Sequence, residues 1–181
     1  MDTVEKIIAI IIVMVALFIA PLISMSSNND SITQATVYDI ASEFVDDVRE
    51  CGYISQERYL LFISELDNTG ILYDVELVHS HLSINPIYET QLSGNGGAPT
   101  TTQKVVGTSE VTDCYYTDEI LEDIYSTEGI YKLSVGDTIS ITVKNRDKTI
   151  AQRIRQMVFN YVDEGNPIFV QYGGVIRDEN Y

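Results

Sequence analysis

Residues 7–25, IIAIIIVMVALFIAPLISM, carry no charge, and only Pro21 and Ser24 interrupt the apolar run. As a helix rising 1.5 Å per residue the run covers roughly 28 Å, close to the ~30 Å hydrocarbon core of a bilayer. It predicts a membrane span, with Pro21 near the distal end, where a kink is tolerated. Lys6 and the amino terminus precede the run, and the next basic residue is Arg49. The positive-inside rule therefore makes residues 1–6 a cytoplasmic stub and places residues 26–181 on the extracellular side. A cleaved signal peptide is the competing reading. Against it, the run exceeds the ~7–15 residues of a signal core, Asp2 and Glu5 spoil a basic leader region, and Ser24-x-Ser26 is a poor cleavage site.

Beyond a short polar joint, SSNND, apolar residues recur at helical spacing: Ile32, Val37, Ile40, Ala41, Phe44, Val45 and Val48. Acidic residues occupy the other faces, which predicts an amphipathic helix over 32–50 with Gly52 as its C-cap. The joint is short enough for this helix to continue the membrane helix as one rod. Ser55 starts a second helix carrying Tyr59, Phe62, Ile63 and Leu66, ended by Gly70. Residues 72–84 alternate as a strand, with Tyr73, Val75, Leu77, His79 and His81 on one face. Residues 89–110 are rich in Gly, Thr and Ser and predict a long exposed loop with a short edge strand at 103–106. Thr117 caps a helix with Ile120, Leu121, Ile124 and Tyr125. Tyr131, Leu133 and Val135 alternate up to a Gly136-Asp137 turn, and Ile139, Ile141 and Val143 alternate after it. A helix over roughly 147–162 turns Ile150, Ile154, Met157, Val158, Tyr161 and Val162 inward and Lys148, Arg153 and Arg155 outward. The strand Ile168–Ile176 contains Gly173-Gly174, a sign of a bulge or close backbone approach. The order predicts an α+β fold, with helices on one face of a small antiparallel sheet and roughly 155 residues to build its core.

Composition changes this picture in one respect. Net charge is −16, from 27 acidic and 11 basic residues, and mean hydropathy is +0.02. Asp2, Glu5 and Lys6 contribute −1, so −15 belongs to residues 26–181. The near-zero hydropathy is thus an average of a membrane helix and an acidic exterior domain. That acidity excludes a general nucleic-acid binder and a basic patch for anionic lipid.

Candidate chemistry is sparse. No nucleophile elbow, phosphate loop, dinucleotide fingerprint or H-E-x-x-H is present, and no cofactor or enzymatic activity is expected. His79 and His81 are the only histidines. On a strand they share a side, as two metal ligands would, but neither Cys nor a further His lies near to complete a set. They read as a partly buried pair, and no metal site is assigned. Cys51 and Cys114 could form a disulfide in an extracytoplasmic domain or remain two free thiols, since spacing alone does not establish proximity. Asp113, Asp118, Glu119, Glu122 and Asp123 read as a solvated acidic helix face; the calcium-loop spacing is absent.

A short stub with Glu5 just ahead of Ile7–Met25, a helix continuing through Ile32–Glu50, and an antiparallel α+β domain together resemble type IV pilin-like proteins. More closely, they resemble the minor pilins, or pseudopilins, of TadE-like tight-adherence systems in Gram-positive bacteria. The stretches GDTISITVKN (136–145) and IFVQYGGVIRDE (168–179) look like the ends of such ectodomains. Two features depart from the pattern: residues 1–4 are not a basic leader ending in Gly or Ala, and Pro21 lies further from Glu5. The resemblance implies a single-pass structural or assembly subunit of a surface pilus or secretion apparatus. Its partners would be the lipid bilayer, other pilin-like subunits and platform proteins, and Glu5 would neutralise a neighbouring subunit's amino terminus. The alternative is a single-pass anchored ligand-binding or sensory domain.

Overall fold

The computed structural model describes residues 3–93, 100–127, 129–160 and 168–178. Helix α1 runs without a break from Thr3 to Cys51, 49 residues or roughly 74 Å. The polar joint does not interrupt it, because Ser27, Ser31 and Thr33 turn their hydroxyls onto carbonyls one turn back (Ile23, Ser27 and Asn29) instead of competing for the chain direction. Pro21 lies inside the helix. None of the most apolar part of α1 is buried by protein, and it is long and apolar enough to cross a membrane. The helix stops at Gly52, which has φ 77° and donates its N–H to Val48 O at 2.8 Å. That left-handed conformation is one for which glycine carries no Cβ penalty.

The remaining elements are β1 (Tyr53–Ser55), α2 (Gln56–Asp67), β2 (Tyr73–Ser93), β3 (Thr100–Tyr116), α3 (Thr117–Ile124), β4 (Ile130–Lys132), β5 (Thr138–Asn145), α4 (Ile150–Phe159) and β6 (Phe169–Val175). The order β3-β2-β5-β6 makes a four-stranded sheet, and β1 pairs antiparallel with β4 in a separate two-stranded one. This is the predicted α+β class, with the long N-terminal helix laid on small sheets.

The chain divides into two compact units. The first gathers residues 1–46, 57–76 and 141–172. Its core holds Val37, Ala41, Phe44 and Val45 from α1, Tyr59, Phe62 and Leu66 from α2, and alternate residues Ile141 and Val143 of β5. The Phe44 and Phe62 rings stack at 4.5 Å. Tyr172 meets Tyr38 edge-on and directs its hydroxyl to the Asp46 carboxylate, so α1 is fixed on β6. The second unit gathers residues 47–56, 77–140 and 173–181. Its core holds Val48, Ile54, Leu77, Ile120, Ile124, Leu133, Ile139 and Ile176. Here the predicted close approach at the glycine pair is found. A Cβ on Gly173 would sit 2.7 Å from Ile139 O, and one on Gly174 would meet the Arg49 guanidinium. Arg49 lies across that glycine and donates Nε–H to Val175 O at 3.0 Å.

Three expectations are corrected. The predicted loop over 89–110 is largely strand: β2 continues to Ser93 and β3 begins at Thr100, paired antiparallel up to Ser93↔Thr100. Threonine and valine in TTTQKVV favour strand, and the Gly-rich residues 94–99 lie outside the described residues. The alternating stretches on the two sides of the Gly136-Asp137 turn, read as successive strands, do not pair with each other, because β4 pairs with β1 instead. The apolar face of α4 is not inward. The helix ends at Phe159; its buried residues are Ala151 and Gln152, while Ile150, Met157 and Phe159 are exposed. Its contacts with α1 are polar: Thr149 Oγ1 donates to Asp30 Oδ2 at 2.8 Å, and Arg155 Nη2 donates to Ser27 Oγ. Tyr161 and Val162 lie outside the described residues.

Phe62→Ala removes one ring of the buried stack and should cost about 3–5 kcal/mol, whereas Leu60→Ala, on the exposed side of the same helix, should stay within about 0.5 kcal/mol. Urea or thermal melting of the detergent-solubilised chain measures both.

Candidate functional site

The predicted strand face in β2 is real: Leu77 and His79 are buried and His81 is half-buried, all on one side. Pairing with β3 sets Tyr115 opposite His79, and the two rings stack at 5.4 Å with 21° between planes. Thr117, at the start of α3, clamps the same strand by accepting the Leu77 N–H at 2.8 Å. His79 is therefore held on a strand that both neighbours restrain.

Two residues that do not stand out in the sequence complete the site. Tyr131, on β4, brings its hydroxyl to 2.6 Å from His79 Nδ1. Asp137 stands in the turn before β5. Gly136 adopts φ 95°, and Asp137 N–H reaches Ser134 O at 3.0 Å. Residue 176 pins the turn from outside: Gly136 N–H donates to Ile176 O, and Ile176 N–H donates to Asp137 O at 2.8 Å. The carboxylate, 4% exposed, thereby enters the histidine pair. Oδ2 lies 2.9 Å from His79 Nε2 and accepts the Ser134 N–H at 2.9 Å; Oδ1 lies 2.6 Å from His81 Nδ1. A buried carboxylate is costly unless its oxygens are satisfied, and here both are.

The electrostatics follow from these contacts. Burial pushes the Asp137 pKa up, but the Ser134 N–H and the two imidazoles outweigh it, and the group ends below the usual carboxylate value. Tyr131 is pushed far up, first by burial and then by the surrounding Tyr115, Asp123, Asp137 and Glu119, so it remains a neutral hydroxyl. Above the network opens a recess of about 490 Å³. Glu119, Glu122 and Asp123 of α3 line it together with Lys132. Part of the acidic helix face thus faces a shared hollow. Two imidazoles and a carboxylate, with their ligand atoms within 4.8 Å of one another, form a donor set suited to a transition-metal ion.

The other candidates stay apart from this site. Glu5 is exposed in the first turn of α1, where a carboxylate complements the helix dipole. Cys51 and Cys114 are free thiols, the first half-buried at the end of α1 and the second exposed on β3 with its Sγ 3.7 Å from Ser80 Oγ. The sequence signal that could have found Asp137 is the Gly-Asp turn directly before a strand that neighbours β2.

Asp137→Ala strands two imidazoles and a backbone N–H and should destabilise the fold by roughly 3–5 kcal/mol in a urea melt. His81→Gln, at a half-exposed position, should cost no more than about 1.5 kcal/mol. No family model matches the chain, and no curated protein or solved structure matches it.

Proposed function

We propose that the chain is a membrane-anchored structural or assembly subunit of the minor-pilin type, working in a surface pilus or secretion apparatus. The observation that carries this reading is the division of labour along one helix. Residues 7–25 of α1 are apolar and bare, while Val37, Ala41, Phe44 and Val45 of the same helix are buried in its own domain. A bare apolar rod rigidly joined to a folded head can exchange lipid for the rods of other subunits without refolding the head. Glu5 is the charged group at the start of that rod, and a carboxylate drawn into a bundle of such rods needs a cationic partner. A neighbouring subunit's amino terminus supplies one. The acidic head then faces outward on the extracellular side.

The recess over His79, His81 and Asp137 favours a second reading, an anchored ligand-binding or sensory domain. Glu5 separates the two. Glu5→Ala and Glu5→Lys should abolish recovery of the protein in sheared surface filaments and in pull-downs of its assembly partners, while the melting temperature of the head stays unchanged. Unchanged incorporation of both variants would sink the pilin-like mechanism.

A further inference from the structure

We propose that His79, His81 and Asp137 bind a divalent cation of the zinc class. Their donors are two imidazole nitrogens and one carboxylate oxygen, within 4.8 Å of one another. Imidazole suits zinc and its transition-metal neighbours, whereas magnesium and calcium call for oxygen donors. Three protein ligands leave one tetrahedral position open, and the recess that the same residues line has room for water or a ligand group.

The supporting shell is already built. In the metal-free network the carboxylate accepts from His79 Nε2–H and His81 Nδ1–H. For the cation to bind, each imidazole offers the lone pair of its inner nitrogen and carries its ring proton on the outer one. His79 Nδ1–H then donates to the Tyr131 hydroxyl oxygen, 2.6 Å away, the outer hydrogen bond that metal-bound histidines make. A hydroxyl both donates and accepts, so it can turn from donor to acceptor at this point. Ser134 N–H keeps Asp137 oriented in both forms. The recess also gathers cations: beyond Asp137 it is lined by three carboxylates and a single lysine, Lys132.

The test uses untagged full-length protein in detergent, stripped with a chelator, and zinc chloride or cobalt chloride as the probe. Calorimetry should show one zinc per chain, with a raised melting temperature that magnesium chloride does not reproduce. Cobalt should give the visible absorption of a tetrahedral nitrogen–oxygen site. His81→Gln and Asp137→Asn should each weaken zinc binding at least ~10-fold, since even outer-shell losses at metal sites cost that much. If the wild type binds no zinc, or if folded His81→Gln binds it as tightly, the assignment is wrong.

A second inference rests on another observation and on the reading of residues 7–25 as a membrane span. We infer that α4 lies on the bilayer with its apolar face in the headgroup layer. Ile150 and Met157, seven residues apart and so on one face of the helix, are 71% and 88% exposed. Polar bonds hold this helix to Ser27 and Asp30. Those residues stand two and five positions past Met25, or about 3 and 8 Å along the axis. An interfacial helix sinks its apolar face about 5–10 Å into that layer, with basic residues such as Lys148 and Arg153 beside it at headgroup level. The chain has no tryptophan, so Met157→Trp is a sole reporter. In nanodiscs its emission should be blue-shifted and quenched by lipids brominated near the headgroup, while Leu60→Trp, on α2 beside the Phe44–Phe62 stack, is not quenched. Phe18→Trp, near the middle of the span, reports the anchor itself and should be quenched by lipids brominated deep in the acyl chains. Quenching of Phe18→Trp without quenching of Met157→Trp overturns this inference alone; absence of both overturns the membrane span on which it rests.

Discussion

A helix that leaves its protein and enters hydrocarbon must carry every backbone hydrogen bond with it, because lipid offers no replacement. The apolar first part of α1 is long enough to cross a membrane, so its unbroken backbone ladder meets that constraint. Past it, residues 26–31 are six polar residues in succession that could open the ladder. The hydroxyls of Ser27 and Ser31 instead fold back onto carbonyls of the preceding turn. The helix therefore runs unbroken from Thr3 to Cys51.

The same constraint explains where the first unit's core forms. Only residues of α1 well past the joint are buried, from Val37 onward. Nearer the joint, contacts are polar: Asp30 with Thr149, Ser27 with Arg155, and Gln34 with Phe169 O.

The second unit solves a different problem. Burying Asp137 needs donors on both of its oxygens, and the unit supplies a backbone N–H from its own turn and two imidazoles from β2. The turn that delivers the carboxylate is fixed by bonds to residue 176, and Tyr131 and Tyr115 fix His79 from two sides. Such a network is tightly specified, since a missing partner leaves a buried polar group unpaired.

The long apolar helix, its amphipathic continuation, the α2 core positions and the His79/His81 face were legible because each follows from local period and charge. The rest was not. Alternation around Gly136-Asp137 looks the same whether the next strand pairs back or pairs elsewhere, and β4 found β1. The apolar stripe of α4 has helical period whichever surface it meets, and neighbours decided that Ala151 and Gln152 face in. The Thr-rich stretch lacks a strong alternation, so its pairing with β2 came from the partner strand. The site divides in the same way. The histidine pair is a local spacing, written in the sequence; Asp137 and Tyr131 join it across 58 and 52 residues of chain. Sequence by itself determined the long apolar helix and the other strongly periodic elements, because periodicity and charge are local properties. Tertiary structure alone decided which elements pair and which polar groups are buried together, because those energies depend on neighbours distant along the chain.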